Sequence, residues 1–156
     1  VLRVADQLLQ SLTTRLRSEP LDILAQVVET MVEARVGNQG YFDMVMALVL
    51  AQHHRDCRAL TPRLALRLAT ALGRIAKPGG PRLRPKGLGS ASTPVNLRCM
   101  DAVQERLLSG LGHFTGEDLA RLDDYYLTHI CSERAARAVA LRVAELRIGL
   151  RDATKG

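Results

Sequence analysis

Tryptophan is absent from this chain of 156 residues, which holds only three Tyr and two Phe. Hydrophobic residues nevertheless make up 47% of it, so Leu, Val, Ala and Ile must fill the interior. That balance favours closely spaced helices, because strands concentrate aromatic and β-branched residues. Cysteine is scarce as well. Cys57, Cys99 and Cys131 are too few, and odd in number, for a disulfide framework, so a reducing compartment is expected. No apolar run approaches the roughly 20 residues that cross a bilayer, and the longest, residues 44–51, reads as a buried helix. Acidic residues are missing from one long stretch: none lies between Asp56 and Asp101.

The groupings that catalysis needs are also thin. Gly79-Gly80 and Gly87-x-Gly89 follow a helical segment and lack the Lys-Ser/Thr ending of a phosphate loop. His53, His54, Cys57, His129 and Cys131 lack the CxxC pairs of a structural zinc site. Asp123 and Asp124 are adjacent, so on a helix their side chains diverge. With no nucleophile elbow, the expectation is a chain that is not an enzyme and carries no catalytic, cofactor or metal site.

Helix signals recur along the chain. Residues 1–17 place Leu2, Val4, Ala5, Leu8, Leu9 and Leu12 at helical spacing. Ser18-Glu19-Pro20 then offers a cap and an early-turn proline. In the next segment Leu21, Leu24, Ala25, Val28, Met31 and Val32 share one side, and Gly37-Asn38-Gln39-Gly40 closes it. An apolar helix from Tyr41 to about Arg55 follows. Thr61-Pro62 opens another, which runs to Ala76, and Thr93-Pro94 opens one that reaches Leu111. Thr115 caps a further helix, with Phe114 and Leu119 placed as a hydrophobic staple. Ser132 caps the last, Ala135 to about Leu150. About seven helices in antiparallel hairpins result, an all-α single domain, solenoid-like or an irregular bundle. Its core is expected to hold Leu24, Val28, Leu48, Leu68, Leu72, Leu107, Leu119, Leu122, Leu141 and Leu146.

A faint internal repeat underlies the hairpins. Leu60-Thr61-Pro62-Arg63-Leu64-Ala65-Leu66-Arg67-Leu68 lies over Phe114-Thr115-Gly116-Glu117-Asp118-Leu119-Ala120-Arg121-Leu122, sharing an apolar-Thr start and an Arg-Leu pair. The spans Leu60–Leu72 and Phe114–Tyr126 resemble the degenerate helical repeats of organellar RNA-associated proteins, namely the heptatricopeptide, octotricopeptide and FAST-kinase-like classes. The resemblance covers about residues 18–150 and implies stacked helix pairs that contact RNA. The spacing departs from those families' near-constant period, so no base-reading positions are carried over.

Charge is the most informative property. Lys and Arg number 22, nineteen of them Arg, against 16 acids, for a net charge of +6. Residues 55–98 hold Arg55, Arg58, Arg63, Arg67, Arg74, Lys77, Arg82, Arg84, Lys86 and Arg98 against Asp56 alone. This segment therefore carries +9 and the remainder −3, so the excess is local. At ~100° per residue, Arg63, Arg67 and Arg74 fall in a stripe about 40° wide, opposite Leu64, Leu68, Ala71, Leu72 and Ile75. Residues 77–94 form a basic Gly/Pro/Ser-rich insert that by composition is disordered in isolation and takes order from its own domain or a partner. Aromatics for base stacking are absent here, which points to backbone contact.

These features predict a non-catalytic RNA-binding component of a mitochondrial ribonucleoprotein, a mitoribosome in particular, touching rRNA backbone and neighbouring subunits. Arg3, Arg15 and Arg17 against Asp6 near the start are transit-like, and ordinary for an amphipathic helix; a matrix location is the expectation. The alternative is a supernumerary structural subunit of a respiratory or ATP-synthase complex, its basic loop on anionic lipid or acidic protein.

Overall fold

The computed structural model describes residues 11, 14–34, 39–76, 94–122 and 124–155. Most of the expected helix over 1–17 and nearly all of the basic insert lie outside these. The described chain is all-α, with no strand among the described residues. The α-helices are α1 (Leu21–Ala34), α2 (Gln39–Arg55), α3 (Pro62–Ala76), α4 (Pro94–Ser109), α5 (Gly116–Ala120) and α6 (Glu133–Lys155). A 3₁₀ turn, Leu111–His113, precedes α5, and a π-helical turn, Tyr126–Ile130, follows it.

Local chemistry explains the starts. Pro20 stands immediately before α1, where an N–H would have no acceptor within the helix, and its carbonyl accepts from the amides of Ile23 and Leu24. Ser18 does not cap this helix as expected; its hydroxyl donates back to the Arg15 carbonyl at 3.0 Å. Thr61 does cap α3, its Oγ1 accepting from Leu64 N at 3.2 Å. Thr115 forms a full capping box with Asp118: Asp118 N donates to Thr115 Oγ1 at 3.1 Å, and Thr115 N to Asp118 Oδ2 at 3.0 Å. Phe114 and Leu119 are both buried beside it. Ser132 caps α6 through Ala135 N at 3.2 Å.

The first four helices form two hairpins laid side by side, α1 against α3 and α2 against α4. Gln52, near the end of α2, donates to the Glu19 carbonyl ahead of α1, so that pair runs antiparallel. Arg106, near the end of α4, donates through Nε to the Leu60 carbonyl at 2.8 Å and through Nη2 to that of Cys57. Hence α3 and α4 are antiparallel as well. On α1, Leu21, Leu24, Ala25, Val28, Met31 and Val32 are the buried side, as their spacing predicts. They meet Phe42, Val45, Met46 and Val49 of α2 and Cys99, Val103 and Leu107 of α4 in one core.

The central helix is α3, packed on α1, on α4 and on the π-helical turn. Ala65, Leu66, Leu68, Ala69, Ala71, Leu72 and Ile75 are all buried. Arg63 and Arg74 are exposed and Arg67 and Thr70 half-buried on its open side, and Pro62 and Leu64 are also half-buried.

Helix α6 departs from expectation. Its buried residues are Ala135 and Val139, with Val143 and Leu146 half-buried, whereas Leu141 is 67% exposed. Leu141 stands two residues from Val139, about 200° around the helix, so the two cannot share an inward face. Leu48, like Leu146, is half-buried, and of the expected core Leu24, Val28, Leu68, Leu72, Leu107, Leu119 and Leu122 are buried. Among the described residues no helix is long and apolar enough to cross a membrane.

Candidate nucleic-acid interface

The stripe on α3 forms one wall of a groove of about 500 Å³, closed by α1 and by the end of α5. Arg63, Arg67, Arg74 and Arg121 line it together with Glu29 and Glu33, over Val32, Leu66, Ala71 and Ala120. Sequence spacing alone placed three of these arginines together. What it missed is that carboxylates from other elements supply the missing negative charge.

Arg67 is held most firmly. Its Nε lies 2.7 Å from Glu29 Oε1 and its Nη2 lies 2.8 Å from Oε2, a two-pronged pair that matches the planar fork to the carboxylate. These hydrogen bonds raise the Arg67 pKa above its ordinary value, outweighing the opposite effect of burial. Arg63 sits 3.3 Å from Asp118 Oδ1, a longer pair in which the arginine is 65% exposed and the aspartate 10%. Asp118 is held below the usual carboxylate range, first by the Thr115 backbone N–H and more weakly by Arg63. Arg121 pairs with Glu117 at 3.4 Å, with both side chains mostly in water, a contact of little energetic weight.

The remaining arginines are freer. Arg55 ends α2, Arg58 lies in the following turn, Arg74 is near the end of α3 and Arg98 is on α4. All four are exposed, and none forms an ion pair among the described residues. Lys77, Arg82, Arg84 and Lys86 lie outside the described residues. The basic segment thus divides in two: Arg63 and Arg67 are tied to internal carboxylates, and Arg55, Arg58, Arg74 and Arg98 are open to an external anion.

No protein family, curated protein or solved structure matches the chain. One feature of the local construction recurs. Leu60-Thr61 and Phe114-Thr115 each present a buried apolar residue followed by a threonine N-cap. A guanidinium from a later helix holds the loop before each. Arg106 binds the carbonyls of Cys57 and Leu60, and Arg142 of α6 binds those of Leu111 and Gly112 at 3.1 and 3.0 Å. In the aligned repeat Arg67 lies over Arg121, and both line the same groove. That alignment was the sequence signal for Arg121.

Reactive groups elsewhere are dispersed or buried. Burial pushes the Cys99 thiol up to about 12, far from a working nucleophile. The buried Tyr126 hydroxyl is raised for the same reason. His53 is lowered by burial, then by Arg106 and His54, and its Nδ1 has no hydrogen-bond partner among the described residues. Tyr125 and His129 stack with centroids 4.3 Å apart. Among the described residues no three His, Cys, Asp or Glu side chains gather as a metal site.

Proposed function

We propose that this chain is a non-catalytic, RNA-binding structural component of a mitochondrial ribonucleoprotein, a mitochondrial ribosome in particular, and that it contacts rRNA backbone. The observation that carries this reading is the position of the positive charge. Residues 55–98 hold all of the net excess, and Arg55, Arg58, Arg74 and Arg98 are exposed there without ion pairs among the described residues. Exposed arginines without internal counterions are suited to phosphate, because their binding releases the cations condensed on the nucleic acid. The resemblance to organellar helical repeats supports the organellar setting.

A second reading draws on α6. Its exposed Leu141 and Ile148 are large apolar side chains open to solvent, which suits a protein neighbour. On that reading the chain is a structural subunit of a respiratory or ATP-synthase assembly. Fractionation separates the two. Co-sedimentation with ribosomal subunits that is lost after ribonuclease treatment is the expected result. Comigration with a membrane complex in mild detergent, insensitive to ribonuclease, would replace the first reading with the second.

A further inference from the structure

We infer that the groove between α1, α3 and α5 is a seat for single-stranded RNA, in which the Arg67 guanidinium serves as the stacking platform for one unpaired base. The inference rests on the RNA reading above and narrows it to a strand type and a set of roles. Three observations carry it.

The groove is concave and of the size that encloses a small organic group. A paired base is stacked inside its duplex and cannot enter such a space, whereas unpaired bases splay out and are taken up by protein surfaces. Its chemistry is also mixed. A duplex keeps its bases stacked and brings chiefly its sugar-phosphate backbone to a concave surface, where Glu33 on the α1 side would repel the phosphates. An unpaired base brings amino groups as well as a phosphate, and a carboxylate accepts hydrogen bonds from such amino groups. Glu33 is exposed, lines the groove and forms no ion pair among the described residues.

The third observation concerns Arg67. Among the described residues no aromatic side chain, the usual platform for a base, lines this groove. Arginine planes do the same work in RNA recognition. A guanidinium is an effective platform only if its plane is fixed, and the two parallel bonds to Glu29 fix it. About a third of the Arg67 side chain remains open, at 35% exposure. Arg74, free of ion pairs among the described residues, and Arg121, whose bond to Glu117 is long and solvated, then hold the flanking phosphates.

The test is a titration of the full chain against two fluorescent RNAs: a single strand of roughly ten nucleotides and a duplex with equal phosphate count. Binding is read by anisotropy at two salt concentrations. The single strand should bind about tenfold or more tightly than the duplex. Arg67→Lys keeps the charge and removes the plane; it should weaken single-strand binding about fivefold while leaving the salt slope and the duplex affinity unchanged. Arg74→Ala should make the single-strand slope shallower by about 0.7.

Glu29→Gln separates a platform from mere neutralisation, and it also covers the case in which Arg67→Lys fails to fold. If Glu29 orients Arg67, the variant binds single strands more weakly. If Glu29 only cancels charge, the variant binds both RNAs more tightly, and the inference is overturned. Equal affinity for the two RNAs, with Arg67→Lys silent, would also overturn it while leaving the RNA reading intact. No binding to either RNA, or binding of a poly-glutamate peptide in their place, would remove both.

Discussion

Gly110 closes α4 at the point where it meets the start of α3. A methyl group placed on it would overlap the Pro62 ring at Cβ, stand 2.9 Å from Pro62 Cγ and lie 3.4 Å from Phe114 Cζ. Pro62 cannot swing away, because its ring is part of the backbone and α3 is anchored there by Thr61. The Gly110 backbone, at φ −103° and ψ 0°, is open to alanine, so Gly110→Ala gains roughly 0.4–1 kcal/mol by restricting the unfolded chain. Overpacking a well-filled junction costs roughly 1–3 kcal/mol. The net is a loss centred on about 1.3 kcal/mol, or roughly 3–5 °C in Tm for a chain of this size. Gly112, two residues on, has open space where its Cβ would be, so Gly112→Ala should keep or raise stability, by up to roughly 1 kcal/mol. Thermal and urea melts followed by circular dichroism compare the pair. If Gly110→Ala melts with wild type, the α3–α4 junction is not packed as described.

Core phases give a second contrast: Leu72→Ala should cost about 2–5 kcal/mol, while Leu141→Ala should cost under about 0.5 kcal/mol because its side chain faces water. Denaturant midpoints measure both, and similar losses would contradict the orientation of α6. Acid should act in two steps. The folded-state pKa of His53 lies below its ordinary 6.5, so the unfolded chain takes up that proton first and stability falls as pH drops from about 6.5. Asp118 is depressed, so its contribution is complete above its ordinary 3.8 and disappears as pH falls through its folded value. His53→Leu should flatten the upper step alone in a pH series of urea melts; an unaltered upper step would assign it to another group.

The parts of this fold that were legible in sequence are those decided within a few residues. Thr61, Thr115 and Ser132 cap helices because a hydroxyl three residues ahead of an amide is a local arrangement. The buried side of α1 followed from spacing, since Leu21, Leu24, Ala25, Val28, Met31 and Val32 recur at helical intervals. On α6 apolar residues occur on several sides, so spacing did not distinguish Leu141 from Val139, and contact with the bundle decided for Val139. The candidate site was half legible. Arg63, Arg67 and Arg74 share a face by helical geometry, but the partners of Arg67 and Arg63 stand 38 and 55 residues away in the chain. Packing, not proximity in sequence, brings Glu29 and Asp118 to them.

The salt dependence of RNA binding tests the central claim most directly. Arg58 and Arg98 are exposed and form no ion pairs among the described residues, so replacing both with alanine should preserve the melt. Affinity for rRNA fragments should fall to a similar degree across sequences, because phosphate contacts position the backbone without reading bases. The slope of log affinity against log salt should become shallower by about 0.9 per lost contact on a duplex and about 0.7 on a single strand. An affinity and a slope both unchanged from wild type would contradict the account that this basic segment grips RNA.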